Sequence, residues 1–502
     1  MTSEKRTGLP LSLVWGGKTK SGARIRRVSE TVHFIGIGGA GQSGLARVLA
    51  RQGTRVTGSD ARESATLDAL RREPGIVAWA GHDAGHVSGA GLVVATAAVK
   101  RDNPEIVAAL ARGIPVISRA EMLGRLMARY RRSVAISGTH GKTTTTGMTA
   151  MALQAAQCDP TVLIGGDLPA WGGNARLGGS DIFVAEACEA FDSFLDLDPT
   201  IAVVTNAEAD HLDYYGDLDN VLRSFRKFLS QVSETVILGA YDPNLQMLAR
   251  ELQAQAAGPR VVTFGIEEDA TLRALNIEMS GPSVSYQAQW QGRPLGHVHL
   301  RVPGLHNVKN SLAALAAGLM LDAPFAGLAE GLNAFVGTGR RFEMVGETDG
   351  GVLVIDDYAH HPTELKATLA AARQAYPDRR LVAVFQPHLP SRTRDFLADF
   401  AESFTLADMV VLTDIYLARE QPLEGVTGAS LAALTADRRG ADCVTYVADK
   451  HALPMRLAEV TRPGDLVLTL GAGDIREAGK QLLAGAPGFS EAAAAPAFAG
   501  RG

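Results

Sequence analysis

Short runs of aliphatic and β-branched residues recur along the chain, and most end at a glycine, aspartate, asparagine or threonine. They are VHFIGIG, GLVVATA, SVAISG, DIFVAEA, TIAVVTN, ETVILGA, GVLVIDD, LVAVFQP, DMVVLTD and DLVLTLGAGD, which start at residues 32, 91, 133, 181, 200, 234, 351, 381, 408 and 465. Apolar runs of this kind are typical of parallel strands that helices cover on both faces, and helical patterns follow them here. The chain is therefore predicted to be α/β throughout.

Two further patterns divide the chain. Polar and apolar residues alternate in SVSYQAQW and HVHLRV, between about residues 270 and 302, which predicts an antiparallel hairpin or meander attached to the central sheet. A glycine-rich turn between a strand and a helix occurs twice, near Gly36 and near Gly138, and indicates separate nucleotide-type folds. We place domain boundaries at the basic segment 129–132 and at GTGRR, residues 337–341.

The composition is that of an ordinary globular protein. The 502 residues suit about three domains, and 46% of them are hydrophobic. A net charge of -5 argues against nucleic acid as a partner, and no apolar stretch is long enough to predict membrane insertion. Three scattered cysteines and an N-terminus without a signal-peptide core favour the cytoplasm. The sequence leaves a monomer and a homodimer open.

The most informative motif is SGTHGKTTTTGMTAMAL, which starts at Ser137 between a predicted strand and a predicted helix. Its glycines let backbone amides surround phosphates at a helix N-terminus, Lys142 can reach the β- and γ-phosphates, and Thr143 can ligate Mg²⁺. Ile136 stands where the common long P-loop has its first glycine, and an ordinary turn is the alternative. The Gly-Lys-Thr-Thr sequence in this context favours phosphate binding.

The earlier motif, HFIGIGGAGQSGLARVLARQG, starts at His33, and Asp60 follows it in VTGSD. Such a turn binds the diphosphate of a dinucleotide or of a nucleotide sugar, and the glycines do not distinguish the two. A purely structural tight turn is a further alternative.

Several polar residues follow later strands. Glu186 and His211 each come after a strand of the central region and could reach a metal, whereas the Asp-His pair at 210–211 also suits a cap or a salt bridge. His306, Asn307 and Asn310 open a helix, where asparagines cap backbone amides or bind a base, and capping is the default. The C-terminal region has a cluster of candidates for a carboxylate or phosphate clamp, with a solvated surface as the alternative: Arg340, Arg341, Asp357, Tyr358, His360, His361, Arg392 and Arg394.

Together these segments resemble the Mur ligases over residues 32–477. The landmarks occur in the family's order: HFIGIGGAGQSG, SGTHGKTTT, GGNARLGGSDIFVAEACE, TNAEADHLDYYGD, PGLHNVKNSLAA, GTGRRFE, DDYAHHPTE, FQPHLPSRTRD, DIYLAREQPLEGVTG and GAGDI. The resemblance implies three domains: an N-terminal Rossmann-like domain for a UDP-sugar at residues 31–131, a central P-loop ATPase domain with a mostly parallel sheet at 132–337, and a C-terminal Rossmann-like ligase domain at 338–483. Residues 1–30 and 484–502 are expected to be a flexible extension and a flexible tail.

The resemblance also implies an activity and its site. The enzyme would use ATP and Mg²⁺ to join L-alanine to the carboxylate of UDP-N-acetylmuramate through an acyl phosphate, with ADP and phosphate as products, in peptidoglycan synthesis.

ATP would be held by Gly138, Thr139, His140, Gly141, Lys142, Thr143 and Thr144, by His306, Asn307 and Asn310 at the adenine, and by Arg341 and Asp357. The UDP-sugar would contact Gly36, Gly38, Gly39, Ala40, Gly41, Ser43 and Asp60. Thr143, Glu186 and His211 would ligate the metal, and Tyr358, His360 and Arg392 would position the amino acid and the muramoyl carboxylate. The catalytic groups would be Lys142, Glu186, His211 and His360, the last as the base for the amine because imidazole titrates near neutral pH.

The chain departs from the family pattern in places. Gln42 replaces the usual Met in the first glycine turn, Leu389 stands where many relatives have Arg, and Cys188 replaces an acid. Phe225 stands where relatives acting on later steps carry a carbamylated lysine, so that modification is not expected. Three alternatives stay open: a ligase that recycles murein peptides, an NAD-dependent dehydrogenase and a catalytically silent binding protein.

Overall fold

The computed structural model describes residues 31–96, 99–267 and 269–485. The predicted N-terminal extension, residues 1–30, and the predicted tail from residue 486 onwards lie outside the described residues. No helix in the described part of the chain has both the length and the apolar character needed to cross a lipid bilayer.

The first sheet has five parallel strands in the order β3-β2-β1-β4-β5. Phe34 and Val94 of the two central strands are fully buried. The strands are β1 (Thr31–Ile35), β2 (Val56–Asp60), β3 (Ile76–Ala80), β4 (Ala90–Ala95) and β5 (Val116–Ser118), and the helices are α1 (Ala40–Arg51), α2 (Ala65–Arg71), α3 (Pro104–Ala111) and α4 (Arg119–Met127).

The second sheet has ten strands in the order β15-β14-β13-β12-β11-β10-β6-β9-β7-β8. Its middle is parallel, and antiparallel strands close both edges. The strands are β6 (Arg132–Ser137), β7 (Thr161–Leu168), β8 (Gly173–Arg176), β9 (Ile182–Glu186), β10 (Ile201–Val204), β11 (Thr235–Gly239), β12 (Arg260–Gly265), β13 (Leu272–Ser280), β14 (Ser283–Trp290) and β15 (Arg293–Leu300). The helices are α5 (Lys142–Ala155), α6 (Leu212–Tyr215), α7 (Leu218–Leu229), α8 (Pro243–Gln253), α9 (Leu305–Met320) and α10 (Phe325–Asn333).

The third sheet has six strands in the order β16-β17-β21-β18-β19-β20, and only β16 is antiparallel to its neighbour. The strands are β16 (Glu343–Glu347), β17 (Leu353–Asp357), β18 (Leu381–Phe385), β19 (Met409–Thr413), β20 (Val444–Val447) and β21 (Leu466–Leu470). The helices are α11 (Pro362–Ala375), α12 (Pro390–Asp395), α13 (Leu397–Ser403), α14 (Gly428–Arg439), α15 (Leu453–Val460) and α16 (Arg476–Ala484).

The prediction of an α/β fold with three mostly parallel sheets is confirmed. All ten apolar runs form strands, and the alternating segment forms the antiparallel meander β13-β14-β15 on the central sheet. In a parallel sheet all carboxyl ends lie at one edge, and ligands bind there. The loops after β6, β9 and β10 therefore come together, because these three strands are neighbours in the sheet.

Candidate active site

The glycine-lysine turn joins β6 to α5 in a conformation that requires its glycines. Gly138 and Gly141 have φ angles of 124° and 85°, and a Cβ on Gly141 would lie 2.5 Å from the Oδ1 atom of Asn310. Any other residue at Gly141 would carry both backbone strain and a clash. The turn places Lys142 at the first position of α5, where free backbone amides can meet an anion.

The ammonium group of Lys142 is held by groups of the protein itself. It donates to the carbonyl oxygens of Gly138 and Thr139, at 2.5 and 3.0 Å, and lies 2.9 Å from the Oε2 atom of Glu189. Burial opposes its charge, but Glu189 offsets burial and raises the pKa of Lys142. The cation is therefore retained inside the protein, ready to neutralise phosphate oxygens.

Glu186, at the end of β9, lies beside the same turn. Its Oε2 atom accepts a hydrogen bond from the Thr143 hydroxyl at 3.2 Å, and its Oε1 atom accepts one from the Gly165 amide at 2.5 Å. Burial raises the pKa of Glu186, although Lys142 and Arg341 act in the opposite direction. Thr143 and Glu186 thus present two oxygen ligands of the type that Mg²⁺ prefers.

His211, the third predicted metal ligand, lies beside the carboxylate of Glu189. Its Nε2 atom is 3.8 Å from Oε1 of Glu189 and 3.8 Å from Oδ2 of Asp210, and its buried Nδ1 atom has no hydrogen-bond partner in the described structure. Glu189 was not predicted from the sequence, although it lies only three residues after Glu186 in the same motif. The structure makes it the link between Lys142 and His211.

A cavity of about 620 Å³ lies between the central and C-terminal sheets, against the turn. Its lining includes many of the predicted ATP-binding residues, and it also includes Asn206, Glu208, Tyr241, Lys309 and Glu364, which were not predicted. The predicted residues that line it are His140, Gly141, Thr144, His306, Asn307, Asn310, Arg341 and Asp357. A cavity of this size can enclose a nucleotide-sized ligand.

The two asparagines of α9 line this cavity and do not cap their helix, so the default expectation of capping was wrong. The N-cap residue of α9 is Gly304, which makes no side-chain cap. Asn307 donates instead to the Pro303 carbonyl at 2.7 Å, and Asn310 donates to Oδ1 of Asn307 at 3.3 Å. Burial lowers the pKa of the neighbouring His306 to about 4, so its imidazole is neutral.

Arg341, Asp357 and Tyr358 meet on the C-terminal side of the cavity. Asp357 accepts hydrogen bonds from the amides of Phe342 and Ala359, each at 2.8 Å. Burial raises the pKa of Asp357 to about 6, although Arg341 opposes the shift. The guanidinium of Arg341 lies 4.9 Å from the centre of the Tyr358 ring, which fixes the orientation of the tyrosine.

His140 of the turn joins the central domain to the C-terminal domain. Its Nδ1 atom is 3.1 Å from Oε1 of Glu364 in α11, and its Nε2 atom is 3.4 Å from Oε2 of Glu208. Burial opposes the charge, but the two carboxylates offset it and raise the pKa of His140 to about 9. The ligand atoms of His140, Glu208 and His361 lie within 4.8 Å of one another. Because two carboxylates hold His140 as a cation, we interpret this group as an ion-pair network.

We expect this ion pair to make stability depend on pH. The pKa of His140 is raised from 6.5 to about 9 in the folded protein. The imidazolium therefore stabilises the folded state in full when the pH is below the pKa of the unfolded chain, and this stabilisation is lost as the pH rises through the pKa of the folded protein. The contribution of His140 to the free energy of unfolding is on the order of 3 kcal/mol at most. The melting temperature of the wild type should therefore fall between pH 7 and 9.5 more steeply than that of His140→Gln. Parallel melting curves for the two proteins over this range would contradict the prediction.

A second, buried ion pair crosses the same interface. The Arg392 guanidinium of α12 donates to Oδ1 of Asp210 from Nε at 3.2 Å and from Nη2 at 2.8 Å. Its Nη1 atom lies 3.3 Å from Nδ1 of His388. Burial opposes the charge on Asp210, but Arg392 holds the pKa of this carboxyl well below its usual range. In this conformation the guanidinium of Arg392 thus makes its hydrogen bonds to other side chains of the protein, Asp210 and His388.

His360 lies beside this pair, and the structure corrects the reason given for its role as a base. Burial lowers the pKa of His360 to about 4, although Glu364 opposes the shift. Its Nδ1 atom is 2.9 Å from the Tyr358 carbonyl oxygen, so a proton on Nδ1 leaves Nε2 as an acceptor. The imidazole is neutral at pH 7, but it does not titrate near neutral pH as the sequence argument assumed.

The first glycine turn lies in the N-terminal domain between β1 and α1. The Gly38 amide donates to Oδ2 of Asp60 at 2.9 Å, and a Cβ on Gly38 would lie 2.8 Å from that oxygen. Asn174 of the central domain donates to the Ser43 hydroxyl at 3.2 Å. The turn is therefore held against the central domain, with Asp60 beside its glycines. Gly36, Gly39, Ala40 and Gly41 complete the turn.

Models of one protein family match three parts of the chain. The model described as "Mur ligase family, catalytic domain" matches residues 31–131, the "Mur ligase middle domain" matches residues 136–318, and the "Mur ligase, glutamate ligase domain" matches residues 340–473.

Full-length relatives agree with these matches. The chain is 47% identical over 457 residues to the UDP-N-acetylmuramate–L-alanine ligase of Trichlorobacter lovleyi, which covers 90% of this chain and 98% of that protein. The solved structure of the UDP-N-acetylmuramate-alanine ligase MurC from Thermotoga maritima matches with a TM-score of 0.75 and 30% identity, over 91% of this chain and 98% of that one. A murein peptide ligase from Psychrobacter arcticus matches with a TM-score of 0.65 and 25% identity over the same shares. On this similarity, and with matches in all three parts of the chain, the protein belongs to the Mur ligase family.

Proposed function

We propose that this chain is an ATP-dependent ligase that joins L-alanine to the carboxylate of UDP-N-acetylmuramate in the synthesis of peptidoglycan precursors. The family consists of ATP-dependent ligases. The observation that carries the proposal is the position of Lys142, which is held by its own turn beside a cavity large enough for a nucleotide. The choice of substrates rests on the relatives, since the ligase of T. lovleyi is named for these two compounds.

The first step makes the carboxylate reactive. Condensation of a carboxylate with an amine is uphill in water, so an oxygen of the muramoyl carboxylate first bonds to the γ-phosphorus of ATP while the bond to the ADP oxygen breaks. Lys142 and the amides at the start of α5 stabilise the negative charge on the transferred group. Because Lys142 is already ordered, little reorganisation is needed when the charge develops.

A divalent cation fits beside the turn. Thr143 and Glu186 would hold Mg²⁺, since their oxygen atoms lie 3.2 Å apart and are of the preferred type. When bound, the ion would neutralise phosphate charge and align the β- and γ-phosphates. His211 would be an unusual ligand for Mg²⁺, but its partnerless buried Nδ1 atom and the nearby Glu189 leave room for this role.

In the second step the amine of alanine attacks the acyl carbon, phosphate leaves with the electrons of the carbon-oxygen bond, and the proton that the amine loses passes to the departing phosphate. The pKa of His360, about 4, makes its imidazole a weak base. We therefore propose that His360 accepts a hydrogen bond from this amine and orients it, and does not remove the proton. Tyr358 and Arg392 are the other two residues expected to position the amino acid and the muramoyl carboxylate. Arg341 and Asp357 would close the nucleotide site from the C-terminal domain.

A ligase that recycles murein peptides is the alternative within the family. By TM-score, the murein peptide ligase of P. arcticus is less similar to this chain than the alanine ligase of T. maritima. Family membership also argues against the dehydrogenase alternative, which leaves the glycine-lysine turn without a role.

The proposal is tested by supplying UDP-N-acetylmuramate, ATP and Mg²⁺ together with L-alanine, glycine, L-serine or the murein tripeptide. We expect ADP to form only when both acceptor and amino acid are present, and the product mass to match an alanine adduct. Faster use of the tripeptide would favour the recycling ligase, and no ADP with any of these amines would exclude both.

A further inference from the structure

Arg119, the first residue of α4, lies across the first glycine turn. A Cβ on Gly41 would be 2.9 Å from Cδ of Arg119 and 3.2 Å from its Nη1 atom. The Arg119 side chain therefore packs over the first turn of α1, in the space that a side chain at residue 41 would fill. No sequence motif for phosphate binding includes this arginine.

The charge of Arg119 has no partner in the part of the chain that the structure describes. Among the described residues, Arg119 makes no ion pair and no side-chain hydrogen bond, although its side chain is half-buried. It begins α4, where the helix dipole disfavours a cation. The N-cap residue of the neighbouring α1 is Gly39, which makes no side-chain cap, and the first turn of α1 has no acid. The N-terminus of α4 is capped by Ser118 and has Glu121 in its first turn, so the positive region that an anion would stabilise consists of the N-terminus of α1 and the Arg119 guanidinium.

Arg119 is also close to the loop that follows β9. Burial raises the pKa of the Cys188 thiol, whereas the positive charges of both Lys142 and Arg119 lower it, so both cations are near this thiol. Cys188 follows β9 and is two residues from Glu186. Arg119 therefore lies against the turn expected to bind the UDP-sugar and is near the loop that follows Glu186.

The position of α4 is fixed by the central domain. Ser118 caps the helix by accepting from the Glu121 amide at 2.9 Å, and its hydroxyl lies 3.4 Å from Oδ2 of Asp196. A Cβ on Gly124 would be 2.1 Å from the Asp196 carbonyl oxygen, so the backbones are in close contact. The Arg119 guanidinium is thus anchored at the junction of two domains.

We infer that Arg119 binds an anionic oxygen of the UDP-sugar and positions that substrate at the first glycine turn. The inference rests on the proposed function for the identity of the substrate. The oxygen belongs to the diphosphate or to the carboxylate that is to be phosphorylated. A guanidinium suits either group, because its planar N-H groups match two oxygens at once.

The test measures binding by titration calorimetry with UDP-N-acetylmuramate and with UDP-N-acetylglucosamine, which lacks the carboxylate. Arg119→Ala should bind UDP-N-acetylmuramate about ten-fold or more weakly, with the KM for ATP unchanged. An equal loss for both sugars assigns Arg119 to the diphosphate, and a loss for UDP-N-acetylmuramate alone assigns it to the carboxylate. Arg119→Lys, which keeps the charge but not the planar fork, should lie between the wild type and Arg119→Ala.

Arg125→Ala is the matched control, because Arg125 lies on the same helix and pairs on the surface with Glu121 at 2.7 Å. It should bind both sugars like the wild type. Unchanged affinity of Arg119→Ala for UDP-N-acetylmuramate would overturn the inference, and Arg119→Lys answers the same question if the alanine variant does not fold. Failure of the proposed function is distinguishable, because the wild type itself would then form no alanine adduct.

Discussion

Lys142→Ala is expected to lower the rate of ADP formation by about a thousand-fold or more, since a preorganised cation at a transferring phosphoryl group contributes several kcal/mol. The Lys142 ammonium is held by two carbonyl oxygens of its own turn and by Glu189. Alanine removes the charge but leaves the turn, whose shape depends on Gly138 and Gly141. The loss should therefore appear in kcat, with ATP binding weakened less. Single-turnover measurement of ADP release gives both quantities.

Two further variants separate chemistry from folding. Lys142→Ala leaves the buried Glu189 carboxylate without its cation, which alone costs stability, so Lys142→Met with Glu189→Gln tests the same chemistry without an unpaired charge. Lys309→Met is the matched control, because Lys309 lines the same cavity with its ammonium 3.7 Å from the centre of the Tyr241 ring. It should alter the KM for ATP far more than kcat. Product formation by Lys142→Ala at the wild-type rate would refute the role of this lysine.

The fold was predictable because its central strands are buried on both faces. Such strands need continuous apolar runs, and each run that the sequence shows forms a parallel strand. Edge strands were harder to recognise: β8 and β20, for example, have four residues each and are only partly buried. Their positions depend on the neighbouring strand more than on their own sequence.

The site was predictable where one segment carries both the residues and their geometry. The turn from Gly138 to Thr143 is local, so its motif predicted the passage from strand to helix, whereas the contact of Lys142 with Glu189 was not predicted. Glu364 is different, because it pairs with His140 across 224 positions of sequence, and only the placement of the C-terminal domain creates the contact. The low pKa of His360 has the same origin, since burial between domains is invisible in a list of residues.

Arg392 shows this limit most directly, and it gives the second large effect. The sequence assigned Arg392 to substrate binding, whereas the structure directs its guanidinium at Asp210 across the domain interface, with both side chains buried. Removal of one partner of a buried pair costs roughly 3 to 5 kcal/mol. Arg392→Met should therefore slow ligation by about a hundred-fold or more, because the closed interface that assembles the nucleotide cavity becomes less populated.

A double-mutant cycle decides between the two roles of Arg392. If Arg392 acts mainly by holding Asp210, then Asp210→Asn combined with Arg392→Met should recover much of the lost activity, because no unpaired charge is left at the interface. If Arg392 binds a substrate carboxylate, the double variant should be no better than Arg392→Met. Arg419→Met is the matched control, since Arg419 pairs with Asp213 at 3.0 Å across the same interface but is about half-exposed. An exposed pair contributes about 1 kcal/mol or less, so this variant should retain most of its activity, and a loss as large as that of Arg392→Met would mean that burial does not set the strength of these contacts.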